Sequence, residues 1–352
     1  MNSHRNGITA AGNWIVDHIK TIDKYPSQDA LVHIRGEKYS NGGSPYNVLK
    51  NLSMMGATFP LKGIGLLGDD DYAAEIKRDC AALGIDASSL KTFAGTPTSY
   101  TDVMAVESTG RRTFFHQSGA SGFLDVSHFD FSGSTEKIFH LGYLLLLQSL
   151  DEIDANGLTG ASIVLQKACE AGAKTSVDLV SEDSNRFSSV VSPSLPFIHF
   201  LFLNEFEASR CTGIYIDNDD PAFEDLSQCA DYLLDAGVRE WVFIHFPQGV
   251  FGKSKDGTIN IQGAVKLPAE KIVGALGAGD ALAAGILYAL HESWNISNAL
   301  ELGVCCAASC LQRLSCSEGI VPFEEALLLG KKYGFIHLGD KMRHRSPIEY
   351  KS

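Results

Sequence analysis

The sequence predicts an α/β fold, a doubly wound and mostly parallel sheet carrying a small β-sheet lid. Two observations lead there. Short β-branched or aromatic runs alternate with longer amphipathic segments, the pattern of parallel strands joined by crossover helices. Residues 30–40 and 98–117 interrupt that alternation and read as strand pairs with no helix between them. Strands without covering helices form a sheet of their own, placed here as a lid over the open strand ends.

The elements follow in order. Strand Ile8–Val16 comes first and ends at the carboxylate of Asp17. After the first lid pair comes Asn41-Gly42-Gly43-Ser44-Pro45-Tyr46-Asn47, where Pro45 opens helix Pro45–Met55 and Asn47 falls in its first turn. Strand Phe59–Leu66 leads to Asp69-Asp70-Asp71, the acidic first turn of helix Tyr72–Leu83. The second lid pair turns at Glu107-Ser108-Thr109-Gly110. Strand Lys137–Leu141, helix Gly160–Ala171 and strands Lys174–Leu179 and Phe200–Phe202 resume the alternation. Helices Glu205–Thr212 and Leu226–Ala236 precede strand Glu240–His245, and helices Gly279–His291, Ile296–Leu314 and Phe323–Tyr333 close the pattern. A single domain over residues 1–352 accommodates this, with a more basic tail over 331–352.

Composition narrows the class. The chain is 45% hydrophobic and 20% charged, ordinary for a globular protein, and its net charge of −13 disfavours nucleic acid and anionic membrane as partners. No apolar run approaches the roughly 18 residues of a membrane span, and no signal-peptide apolar region follows Met1, so the expected location is cytoplasmic. None of the eight cysteines forms a Cys-x-x-Cys pair. Cys306 and Cys310 have the helical spacing of a zinc pair, but core packing in a reducing compartment accounts for them.

The most informative stretch is Val273-Gly274-Ala275-Leu276-Gly277-Ala278-Gly279-Asp280, which runs into an alanine-rich helix. Glycines let backbone N–H groups approach a ligand, and a helix N-terminus adds unpaired amides and the positive end of its dipole. Asp280 at the rim of such an anion cradle can take a proton from a hydroxyl, the combination that phosphoryl transfer needs. Taken alone, the same aspartate also reads as a helix cap. Asp17, beyond a strand end, is placed to bind a polyol or merely terminates the strand. Gly42 and Gly43 allow close backbone approach or simply form a strand-to-helix turn. Asn204 and Glu207, just past an apolar strand, can hold Mg²⁺ through water or form a capping box. Gly249–Ser254 ends like a P-loop, but Pro247 stands where the first glycine belongs and a strand follows, so that motif is rejected.

In this order, Gly12…Asp17, Gly42-Gly43-x-x-x-Asn47, Asn204-x-x-Glu207 and Gly277-Ala278-Gly279-Asp280 resemble the ribokinase-like sugar kinases, the phosphofructokinase B family, over residues 8–325. The resemblance implies transfer of the γ-phosphoryl of ATP to a hydroxyl of a sugar, sugar acid or nucleoside. It makes Asp280 the base and the amides of Gly277, Ala278 and Gly279 the anion hole. Asp17, Gly42, Gly43 and Asn47 would hold substrate hydroxyls. Asn204 and Glu207 would organise Mg²⁺ and the nucleotide phosphates, Glu207 through water, with Gly249 on the nucleotide side. Lid sheets in this family often pair, so a homodimer through the lid is expected.

Two departures stand out. Gly274-Ala275 replaces the usual Asp-Thr, which weakens the expectation of potassium activation. The segment Ile244-His245-Phe246-Pro247-Gln248-Gly249 keeps only the last glycine of Thr-x-Gly-x-x-Gly, so bulky Phe246 is expected to crowd the nucleotide. A sugar is the favoured substrate. Asn204-Glu205-Phe206-Glu207-Ala208 also resembles adenosine-kinase-like members, and loss of the nucleotide side would leave a sugar-binding pseudokinase.

Overall fold

A computed structural model describes residues 5–218 and 220–338. Its elements begin β1 (Ile8–Gly12), β2 (Ile15–Ile22), β3 (Ile34–Gly42), α1 (Ser44–Met54), β4 (Leu61–Leu67), α2 (Asp71–Ala82), β5 (Ile85–Thr92), β6 (Ser99–Val106) and β7 (Arg112–Gln117). They continue β8 (Ile138–Leu144), α3 (Gly160–Glu170), β9 (Lys174–Leu179), α4 (Phe187–Val191), β10 (Phe200–Asn204), α5 (Glu205–Thr212) and α6 (Phe223–Asp235). The last are β11 (Trp241–Phe246), β12 (Gly249–Ser254), β13 (Ile259–Gly263), α7 (Ala278–His291), α8 (Ile296–Cys310) and α9 (Phe323–Tyr333).

One nine-stranded sheet has the order β13-β12-β11-β10-β9-β8-β1-β4-β5. It is parallel from β11 to β5, with β12 and β13 antiparallel at one edge. Apolar side chains cover both faces: Leu49, Leu52, Leu282 and Ile286 of α1 and α7 belong to one core cluster. Val164, Leu165, Leu233 and Leu234 of α3 and α6 belong to the other. β1 lies between β8 and β4, so the chain winds outward in both directions from it and opens a crevice at the strands' carboxyl ends. The four-stranded sheet β3-β2-β6-β7 is the lid.

Three expectations need correction. The first strand does not run through to Val16. Gly12 adopts φ +133, and a Cβ there would stand 2.7 Å from the Gly142 carbonyl oxygen, so the chain turns out of the large sheet. Residues 15–22 become a lid strand, and Asp17 lies inside it, opposite Ser40 and Thr101, rather than at a sheet-strand end. Region 30–40 supplies one strand, not two, because β3 pairs with β2. Region 98–117 does form the hairpin β6–β7. Strand β5 carries no apolar strand pattern, because only Ile85 and Leu90 of its polar sequence are buried. Of the tail, residues 331–338 finish α9 and bridge back through Phe335 to Val265, and the rest lies outside the described residues.

Candidate active site

The crevice and the lid enclose a cleft of about 730 Å³, within the usual range for small-molecule sites. Tyr143, Asp178, Asn204 and His245 line its floor, each at the carboxyl end of its strand, together with the first turn of α7. Asp17, Thr101, Arg112 and His116 reach it from the lid.

Gly277 caps α7 in the left-handed region at φ 74, where a Cβ would lie 2.7 Å from that of Cys316. The first-turn amides have no carbonyl of their own helix to reach and leave the positive dipole end facing the cleft. Gly277 and Gly279 line it, whereas the Ala278 amide turns back to the Ala275 carbonyl at 3.4 Å.

Asp280 makes no capping bond, so the local cap alternative does not hold. It sits on the floor of the cleft rather than at its rim, 4% exposed. Its Oδ2 accepts from Asn47 Nδ2 at 2.7 Å and from the Tyr143 hydroxyl at 2.9 Å. Among the described residues no donor reaches Oδ1, which is not sealed from the cleft. Burial, with Asp178 close by, raises its pKa well above the usual carboxylate range, and the two donors oppose that rise.

Asp17 has weak donors. The Cys316 thiol reaches its Oδ2 at 3.7 Å, and burial pushes its pKa to about 7. Gly42 makes room for that carboxylate, since a Cβ would fall 2.4 Å from Asp17 Oδ1, but Gly42 itself does not line the cleft. Gly43 does line it, at φ +82. Asn47 is engaged at both ends, donating to Asp280 while its Oδ1 accepts from Asn41 at 2.7 Å. The geometry thus ties Asn47 to the aspartate expected to be the base.

Asn204 and Glu207 both line the cleft and form the capping box. Asn204 Oδ1 accepts from the Glu207 amide at 2.8 Å, and Glu207 Oε2 accepts from the Asn204 amide at 2.9 Å. Burial pushes the Glu207 pKa to about 7. Phe246 does not crowd the cleft. It packs into the core cluster with Ile244 and Leu203, because β11 directs it away from the side that His245 occupies. Gly249 also lies outside the lining, pressed against β13 with only 2.3 Å between a would-be Cβ and the Gln262 carbonyl oxygen. Cys306 packs on Met55, and among the described residues no cluster of three or more His, Cys, Asp or Glu could hold a metal ion.

Sequence reasoning missed Asp178, Tyr143, His245, Arg112 and His116. The strand-end rule could have found Asp178 and His245, polar residues within apolar strands; nothing local marks Tyr143 or the lid residues. Among the described residues, Asp17, Asp178, Glu182, Asp183, Glu207 and Asp280 face a single Lys or Arg side chain in the lining, Arg112, which makes no ion pair there.

The doubly wound sheet, the β-lid and a carboxylate at a glycine-turned helix N-terminus define a small-molecule phosphotransferase with a hydroxyl acceptor. Residues 7–323 match the model of the pfkB family carbohydrate kinases, and the chain belongs to that family. Adenosine kinase 1 of Arabidopsis thaliana is 24% identical over 309 residues, spanning 84% of this chain and 85% of that protein. The ATP-dependent ribose-1-phosphate kinase of Halopiger xanaduensis is 22% identical over 301 residues, spanning 86% and 90%. The ribokinase of Thermotoga maritima shares the fold with a TM-score of 0.74 at 19% identity, covering 92% of this chain and 99% of that one. Arabidopsis ribokinase, solved with ribose and ATP, superposes with a TM-score of 0.72 at 20% identity, covering 92% and 98%.

Proposed function

We propose that the protein transfers the γ-phosphoryl of ATP to a hydroxyl of a sugar or sugar derivative, with Asp280 as general base. One observation carries this reading: Asp280 keeps a single oxygen, Oδ1, open to the cleft beside the free amides of α7. The acceptor hydroxyl gives its proton to Oδ1 as its oxygen bonds to phosphorus, and the bond from phosphorus to the leaving ADP oxygen breaks. The Gly277 and Gly279 amides take the charge of the transferred group, and Ala278, turned toward Ala275, contributes less. A base with a raised pKa is strong enough to accept a hydroxyl proton near neutral pH.

Asp17 accepts a second substrate hydroxyl, a stronger donor than the Cys316 thiol that reaches its Oδ2 at 3.7 Å. Both Glu207 oxygens already accept protein hydrogen bonds, so Asn204 and Glu207 suit a hydrated Mg²⁺ rather than direct ligation. When bound, Mg²⁺ supplies neutralisation of the nucleotide phosphates. A nucleoside acceptor is the second reading, favoured by the adenosine kinase relatives and by Asn204-Glu205-Phe206-Glu207-Ala208.

Calorimetric titration with Mg·ATP, followed by an ADP-release screen of sugars and nucleosides, tests the proposal. Micromolar to low-millimolar ATP binding with ADP release on a sugar is the expected result. Release only on nucleosides selects the second reading, and no ATP binding with any acceptor present leaves a sugar-binding relative without kinase activity.

A further inference from the structure

We infer that Tyr143 is a positioning residue: together with Asn47 it holds Oδ2 of Asp280 and so reserves Oδ1 for the acceptor hydroxyl. The inference rests on Asp280 being the base. Two donors from different elements, α1 and β8, converge on one oxygen, and among the described residues none reaches the other. A base held through one oxygen keeps its second lone-pair site aimed at the substrate, and such alignment is what an enzyme preorganises.

The backbone around Tyr143 is built to deliver that hydroxyl. Tyr143 adopts φ 60, a left-handed conformation that a bulky residue seldom takes, at the end of β8 beside the central strand β1. Its amide donates to Asp178 Oδ1 at 2.7 Å. The other carboxylate oxygen of Asp178 accepts from the Ser44 hydroxyl at 2.6 Å, and Ser44 in turn meets His140 Nε2 at 2.8 Å. Gly142 lets Ser44 come this close, since a Cβ there would stand 2.4 Å from Ser44 Oγ. This chain of buried contacts holds the strained turn, and the turn presents the phenol to Asp280.

The groups facing Asp280 set what the phenol does. Asp178 on β9 and Asp17 on the lid oppose its ionisation, as do the thiols of Cys310 and Cys316 whenever they ionise. His245 stands beside Gly279 as a neutral ring, because burial lowers its pKa to about 4. Tyr143 itself stays neutral, its pKa driven upward by burial and by Asp280 and Asp178. Near neutral pH it is therefore a donor, and its bond favours the ionised base.

The test is a carboxyl titration by NMR on the full chain labelled with ¹³C at aspartate Cγ, with Asp280→Asn assigning the resonance. In Tyr143→Phe the Asp280 midpoint should rise by about one pH unit, the effect expected of losing one donor to a buried carboxylate. The acid limb of kcat/KM should move with it while KM for ATP stays fixed. An unmoved midpoint in folded Tyr143→Phe overturns the inference. Asn47→Leu gives a second arm, because it removes the other donor to Oδ2 and keeps the site filled. It should also raise the midpoint, and a wild-type midpoint there overturns the pairing of the two donors on Oδ2. The titration needs no turnover, so absence of kinase activity would refute the proposed function and leave the Tyr143 result readable.

Discussion

Replacing Asp17 by asparagine should stabilise the protein and weaken substrate binding together. The folded protein holds this carboxyl at a pKa of about 7 against 3.8 in the unfolded chain, burial being the main cause, with the Cys316 and Thr101 hydrogen bonds opposing it. A group whose pKa is raised on folding contributes stability fully below its unfolded pKa. That contribution fades as pH rises through the window and is gone above about pH 7. At ~1.4 kcal/mol per pH unit the ionised side chain disfavours the fold by at most about 4 kcal/mol, and water in the cleft brings the working figure to about 2 kcal/mol. Asparagine removes the charge and keeps the shape. For a chain of this length about 2 kcal/mol corresponds to roughly 3 °C in Tm. Calorimetric unfolding of Asp17→Asn should therefore show a gain of about that size at pH 8 and a clearly smaller one at pH 5, with KM for the acceptor raised at least tenfold. An equal gain at both pH values, or a loss at pH 8, would refute the argument that burial of this charge is what raises the pKa.

Four further outcomes follow from the same geometry. Asp280→Asn should lower kcat by about 10³-fold or more, within the effect ascribed to a general base, while Mg·ATP affinity by calorimetry stays within a factor of two or so. Gly43→Ala should destabilise by more than about 3 kcal/mol, because φ is +82 and the new Cβ would fall 2.0 Å from the Asn13 carbonyl oxygen. Gly56→Ala, at φ +87 with nothing within 4 Å, should lose only about 1 kcal/mol, and denaturant titration compares the two. Phe246→Gly should lose about 4 kcal/mol of stability through a core cavity and leave ATP affinity of the folded protein unchanged.

The alternating core was legible because buried parallel strands such as Phe200–Asn204 are short, largely apolar runs set between longer amphipathic segments. The lid hairpin β6–β7 was legible through its turn. Where β1 leaves the large sheet was not. Gly12 looks like any glycine in a strand, and only the approach of Gly142 across the sheet, 130 residues away, decides that the chain turns there. The site divided in the same way. Asp280 and the Gly277 turn are contiguous and announce themselves, but the role of Asn47 depends on partners at positions 41 and 280. Tyr143 acts through a backbone conformation that side-chain identity does not encode. Phe246 points into the core, since matching a glycine position of the family says nothing about which way a strand residue points.

The charge pattern of the cleft joins these observations into one argument. Six carboxylates and one arginine face a space of about 730 Å³, and three of them, Asp17, Glu207 and Asp280, are held at raised pKa by burial. Asp17 and Asp280 lack part of the hydrogen bonding that would offset their burial, whereas both oxygens of Glu207 are already engaged. A polyol donates hydroxyls to Asp17 and Asp280 and relieves them, whereas a nucleotide polyanion brought in alone adds repulsion. In the lining, the positive dipole end of α7 and Arg112 are the groups that oppose that repulsion. Such a cleft favours a neutral, hydroxyl-rich ligand over an anionic one.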